Sequence, residues 1–389
     1  MSEAKEFKDS LTGRRVWQAT SVGNHNQAFY FHDRGWSRDS RWLYFASSRP
    51  TGDDPEGTRF KLYRMNPPDG DPERVNGTCP VQGSLLHHQI FPDDRHVLER
   101  TADGLFQVDM HGGSRKKLLE FDREHDWEAF SISCDGKLLA GPMSTRYVSG
   151  RKKSDFPDRE TYNTNTWLLP DVRISWLVVV DAATGRSEEI THSRDWYTHV
   201  QWSPTDPGLI SFCHEGIWLL VERTWLIRAN GHGLRQVVQT RKGLEGLGHE
   251  FFSLDGACMW GHGYRPPKLY TGGRREFDTY SRFIFRQSLS HPRDYREWPE
   301  EKVSRHWNAG SSQHWIVGDG THEPNYDSAA IWRAWIDIDR DRLEFEPLAS
   351  TRGPYEDIET NAQVSPDGRW VSWTSMQSTG TPQVFITEI

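Results

Sequence analysis

A short unit recurs seven times along the 389 residues: an aromatic or aliphatic residue, Ser, any residue, Asp, Gly, then an alternating apolar run. Its copies begin at Trp36-Ser37, Phe91-Pro92, Ser133-Cys134, Trp202-Ser203, Phe252-Ser253, Gly310-Ser311 and Val364-Ser365; the sixth keeps little beyond the strand that follows it, Trp315-Ile316-Val317. Asp-Gly closes a tight turn between antiparallel strands, and the flanking runs alternate with period two. The copies lie about 55 residues apart, a somewhat enlarged β-propeller blade. A second unit, third strand then Gly turn then outer strand, falls between them, as in Val108–Leu119 and Val180–Ile190. Residues 9–20 carry the outer-strand pattern with no inner strand before it, and Gln383–Ile389 is a third strand with no outer strand after it. Pairing the two ends closes the ring and removes the open sheet edges. The expectation is an all-β, seven-bladed β-propeller in one domain over residues 1–389, its last blade completed by the N-terminal outer strand. The longest linker precedes the fourth copy, and its polar stretch 146–166 reads as an insertion loop over one face.

Composition narrows the function. With 18 Trp, 18 Phe and 12 Tyr but low mean hydropathy, the chain suits half-buried strands with polar outer faces. A formal net charge of −8 provides no field for nucleic acid. No apolar run is long enough to cross a membrane, and the first residues lack an apolar signal core, so a cytoplasmic protein is expected. Cys79, Cys134, Cys213 and Cys258 form no CxxC pair; the last three fall in strand-like runs and read as buried free thiols. No GxSxG, Walker A, dinucleotide-binding glycine pattern or HExxH occurs. Gly318-Asp319-Gly320 reads as a turn.

Ligands of propellers sit over the central channel, at the ends of the innermost strands. Four residues before each motif Ser or its equivalent, the copies carry Asp33, His87, Ala129, His199, His249, His306 and Asn361. Two residues before it come Gly35, Gln89, Ser131, Gln201, Phe251, Asn308 and Gln363. Strand alternation would place both columns on one face. Such a lining can simply hold channel water; convergent ionisable groups in a concavity also mark a site.

The segments Trp196-Tyr-Thr-His-Val-Gln-Trp, Phe212-Cys-His-Glu-Gly, Glu222-Arg-Thr-Trp-Leu-Ile and Gly248-His-Glu-Phe, with His306 ahead of Ile316-Val-Gly-Asp-Gly, resemble the oligogalacturonate lyase family. The resemblance implies a seven-bladed propeller that cleaves short uronic-acid oligomers by β-elimination. That chemistry needs a base, a cation for the enediolate and a proton for the leaving oxygen. The resemblance implies His249 as the base, Arg223 as the catalytic arginine, His306 as a metal ligand and His199 as a substrate contact. From the same columns His87, Gln201 and Gln363 are further expected substrate contacts, and Arg173 or Arg352 a second arginine for the carboxylate. The last blade departs from the family, with Glu356, Glu359 and Asn361 where the family has a Gln and a His-Pro-His pair. One imidazole with carboxylate and amide oxygens suits a harder ion, Mn²⁺ or Ca²⁺; loss of the metal is the other outcome. The expected partner is an acidic oligosaccharide. A lyase for another uronate linkage, such as rhamnosyl-glucuronate, and a non-catalytic sugar- or protein-binding propeller are the competing readings.

Overall fold

In a computed structural model of the chain, the residues described are 2–79, 89–145, 174–271, 279–312, 314–320, 329–337, 339–351, 359–378 and 380–389. The loop expected over 146–166 lies outside them. Seven antiparallel sheets follow one another in sequence order, each running from an inner to an outer strand, in the expected seven-bladed β-propeller. Among the described residues no helix is long and apolar enough to cross a membrane.

The recurring motif owes its residues to one hydrogen-bonded turn. Ser37 Oγ donates to Asp39 at 2.6 Å, Ser133 to Asp135 at 2.8 Å and Ser253 to Asp255 at 2.6 Å. The same hydroxyls accept from the backbone N–H five residues on, at Trp42, Leu138 and Cys258. The residue after Asp then needs a left-handed backbone, which Gly136, Gly256 and Gly368 supply at φ 75°, 67° and 74°. Where Gly is missing, Ser40 and Asp94 take that conformation at φ 58° and 52°. The degenerate sixth copy keeps the frame, because Gly310 N–H donates to the carbonyl of Trp315.

The last blade closes the ring as expected. Arg15–Gln18 pairs antiparallel with Gln383–Glu388, with Trp17 opposite Ile386. Trp17 meets Trp370 edge-on at 5.8 Å, and the core between the last and first blades includes Phe45, Met65, Val384 and Ile386. The N-terminal segment adds a further strand that the sequence pattern did not show, Lys5–Lys8 on Arg15–Gln18, so this blade has five strands. Its residues are mostly exposed and only Phe7 carries an apolar signal. Cys213 and Cys258 are buried free thiols; Cys134, expected buried, is only half-buried because it lies in the motif turn rather than in a strand.

Candidate active site

The inner strands do not alternate cleanly where the histidines sit. In the fourth blade, the four residues from Thr198 to Gln201 oppose the three from Cys213 to Ser211; in the fifth, Gly248 to Phe251 oppose His262 to Trp260 in the same way. Each strand thus carries one extra residue, a β-bulge that re-aims a side chain. His199 and His249 occupy the bulges with φ 48° and 49°, and Asn361 in the last blade has φ 49°. These left-handed conformations carry strain for non-glycine residues. The bulge also corrects the expectation that the two columns share a face. Past it the glutamines turn toward neighbouring blades: Gln201 Nε2 donates to the Glu250 carbonyl at 2.7 Å, and Gln363 Nε2 to the carbonyls of Tyr30 and Asp33 at 2.8 and 2.7 Å.

The first blade departs further. The nine residues Ala28 to Trp36 oppose only the three from Phe45 to Leu43, so six are extra. Asp33 is therefore no strand residue but part of an excursion that carries Tyr30, Phe31 and His32 against the histidines of the fourth, fifth and sixth blades. Asn361 Oδ1 accepts from the Phe31 N–H at 3.2 Å, and the Phe31 carbonyl accepts from the Asn308 amide. The Phe31 ring stacks on His306 at 4.9 Å and meets His249 edge-on at 5.7 Å. Tyr30 lies against both His199 and His306, with centroids 5.8 and 5.5 Å away.

Arg223 is 2% exposed and held by two carboxylates: Nη1 reaches Glu215 at 2.8 Å and Nε reaches Glu250 at 3.1 Å. Thr224 Oγ1 and Cys213 Sγ also donate to Glu250. Burial disfavours the charge on Glu215, but Arg223 and His199 outweigh it and hold its pKa far below the usual carboxylate range. His199 Nε2 lies 3.2 Å from Glu215, and its Nδ1 is 3.4 Å from His32 Nε2.

His249 lies in the same cluster. Burial, then His306, His262 and Arg223, pull its pKa well below 6.5, so it is neutral at neutral pH. Trp218 stands edge-on to His249 at 4.9 Å and under the Arg223 guanidinium at 5.0 Å. Gly248 permits this, because a Cβ there would lie 2.1 Å from the indole. His249 Nδ1 is 3.0 Å from His262 Nε2, and His262 Nδ1 is 3.3 Å from Glu300.

His306 is buried, with Nδ1 2.8 Å from Asp319 and Nε2 without a hydrogen-bond partner among the described residues. Glu359 lies 3.9 Å from that Nε2 and 3.2 Å from Arg305. A carboxylate behind an imidazole whose other nitrogen is unpartnered is the usual setting of a metal-ligating histidine. Carboxylates also outnumber guanidiniums here: Glu215, Glu250, Asp319 and Glu359 against Arg223 and Arg305. The donors present therefore fit a divalent cation through His306 Nε2 and Glu359. No three His, Cys, Asp or Glu side chains among the described residues form a metal-binding group by themselves. Asn361, expected to be a ligand, uses its amide oxygen on Phe31.

Of the residues expected at the site, His199, Arg223, His249, His306, Glu359 and Asn361 come together at one end of the channel. Gln201 and Gln363 join blades to each other, and His87, Arg173, Arg352 and Glu356 lie outside the described residues. Unforeseen were Tyr30, His32, Glu215, Glu250, His262 and Asp319. Three of these stand inside the family-like segments Phe212–Gly216, Gly248–Phe251 and Ile316–Gly320, and Asp319, read as a turn residue, is the partner of His306.

A family model described as oligogalacturonate lyase matches residues 152–266. Over 266 residues, 65% of this chain, the sequence is 38% identical to an oligogalacturonide lyase of Pectobacterium atrosepticum and 33% identical to an oligogalacturonate lyase of Dickeya dadantii. Over these stretches the chain is similar to the oligogalacturonate lyases. The match spans 62% of the length of each of those two proteins. Two solved oligogalacturonate lyases share the fold: one in complex with manganese (TM-score 0.79, 19% identity, 99% of this chain and 96% of the other), and one from Vibrio parahaemolyticus (TM-score 0.81, 20% identity, 100% and 97%).

Proposed function

We propose that the chain is a lyase that cuts short galacturonate oligomers by β-elimination. The observation that carries the reading is a half-buried imidazole, His249, kept neutral beside the buried guanidinium of Arg223 at the channel end. A neutral imidazole can take the proton from the sugar carbon next to the carboxylate. The electron pair left behind forms a double bond to the neighbouring carbon as its bond to the glycosidic oxygen breaks. The leaving oxygen takes a proton from water, His249 returns its own to solvent, and the product is an unsaturated uronate.

Each of the chain's own residues has a part in this reading. Arg223 has Nε and Nη1 engaged by its two carboxylates, and its fixed charge lowers the basic tendency of its neighbours and favours negative charge developing on the substrate carboxylate. The rings of Tyr30, Phe31 and Trp218 exclude water around His249. His199, held by Glu215 through Nε2 and by His32 through Nδ1, packs against Tyr30 and lines the site beside His249 through its ring. A divalent cation at His306 and Glu359 would offset the substrate carboxylate and the enediolate. The manganese in a solved oligogalacturonate lyase supports that assignment. Gln201 and Gln363 act as joints between blades rather than as substrate contacts.

Incubation with trigalacturonate, with and without Mn²⁺, tests the reading through the ultraviolet absorbance of the unsaturated product. Absorbance that appears with the wild type and is lost in His249→Ala supports it; a wild type that yields no absorbance under either condition sinks it.

A further inference from the structure

We infer that His262 and Glu300 are positioning residues that fix the tautomer of His249, leaving its Nε2 free to take the substrate proton. The inference deepens the lyase reading and rests on it for its kinetic arm.

The three groups form one line across the fifth blade and into the sixth. His249 Nδ1 lies 3.0 Å from His262 Nε2, and His262 Nδ1 lies 3.3 Å from Glu300 Oε1. Glu300 is itself fixed, since its Oε1 accepts from the Trp307 indole N–H at 2.6 Å and from the Ser304 N–H at 3.3 Å. His262 and Glu300 are both buried, so water is not the competing partner.

The direction of the chain follows from what each group can do. A carboxylate only accepts hydrogen bonds, so the proton of the His262 ring is on Nδ1. Its Nε2 then carries a lone pair and accepts from His249, which puts the His249 proton on Nδ1 as well. His249 Nε2 is left with the lone pair that a base needs. When Nε2 takes a proton, the imidazolium charge is stabilised through His262 by Glu300, the role a buried carboxylate plays behind a catalytic histidine. The second imidazole extends the reach: the carboxylate sits in the joint with the sixth blade, too far from His249 to act on it directly.

Two measurements test the assignment. Long-range proton–nitrogen correlation spectra of the wild type, with the histidine signals assigned by single substitutions, should show both His249 and His262 protonated on Nδ1. This readout needs no substrate. In kinetics on trigalacturonate, His262→Leu should lower kcat about 10–100-fold with KM nearly unchanged. His262→Gln, which keeps an acceptor at the same reach, should recover most of the loss, and Glu300→Gln should cost at least as much as His262→Leu. Circular dichroism and melting of each variant confirm folding. A proton on Nε2 of His249 overturns the inference, as does wild-type kcat in folded His262→Leu or a glutamine variant no better than leucine. If the wild type cleaves no uronate, the lyase reading fails and the spectrum alone decides the tautomer.

Discussion

His199 and His249 stand at equivalent places in consecutive blades with nearly the same left-handed backbone, φ 48° and 49°. Each is the extra residue of a bulge, and the bulge is what brings its imidazole into the cluster. The site is therefore built by a local backbone irregularity repeated on a regular frame.

The strain of that conformation is measurable. His199→Ala and His199→Gly both remove the imidazole, but only alanine keeps a Cβ in the left-handed region. Glycine should leave the protein more stable by about 1 kcal/mol, read from denaturant midpoints at equal slopes. Equal stabilities would mean that the bulge relaxes when the ring is lost.

Arg223 supports the fold as well as the chemistry. Removing it strands Glu215 and Glu250 in a buried site, so Arg223→Met should cost about 3–5 kcal/mol. Arg223→Lys restores a charge but not the fork that reaches both carboxylates, and its melting temperature should fall between the wild type and methionine. Thermal melts of the three proteins check this order.

Lowered histidine pKa values predict where acid acts. The folded protein holds His249, and more mildly His199, His214 and His25, below the 6.5 of an ordinary imidazole. An unfolded chain binds those protons first as pH falls, so stability is complete above pH 6.5 and declines below it. Glu215 contributes in the same direction at lower pH, its stabilisation present above the ordinary 4.5 and lost as pH falls further. The melting temperature should therefore begin to fall before the carboxylates titrate. The acid limb of kcat/KM, which reports the free-enzyme base, should lie below pH 6.5.

The closure of the ring gives a further prediction. Trp17 is buried against Trp370 in the strand that completes the last blade. Trp17→Ala should cost about 3–5 kcal/mol. Deleting residues 1–20 should expose the edge of Gln383–Glu388 and cause association, visible by size-exclusion chromatography.

The seven-blade frame was legible because Ser-x-Asp-Gly encodes a turn whose bonds are local: hydroxyl, carboxylate and amide lie within five residues of each other. The histidines were legible for the same reason, since counting back from each turn reaches His199, His249 and His306. Their partners were not, because Glu215, Asp319, His262 and Glu300 meet them across strands or between blades, where register decides contact. The excursion at Tyr30–Asp33 was invisible to counting because Trp36 and Ser37 keep the turn intact after six inserted residues. The glutamines were misread for a single reason, the bulge that breaks period-two alternation just before them.

The cation assignment predicts chelator sensitivity. Activity should fall after chelation and return with Mn²⁺, and His306→Ala should weaken Mn²⁺ binding measured by calorimetry, because it removes the unpartnered Nε2. Asn361→Ala should leave that binding nearly unchanged, since its amide oxygen serves Phe31.

The central claim is that His249 is the base of a β-elimination. Its most direct measurement is the rate of unsaturated uronate formation from trigalacturonate by the wild type and by His249→Ala, both shown to be folded. The account predicts product from the wild type and a rate lower by about 10²–10⁴-fold in the variant. A variant that matches the wild-type rate, or a wild type that forms no unsaturated product, would contradict it.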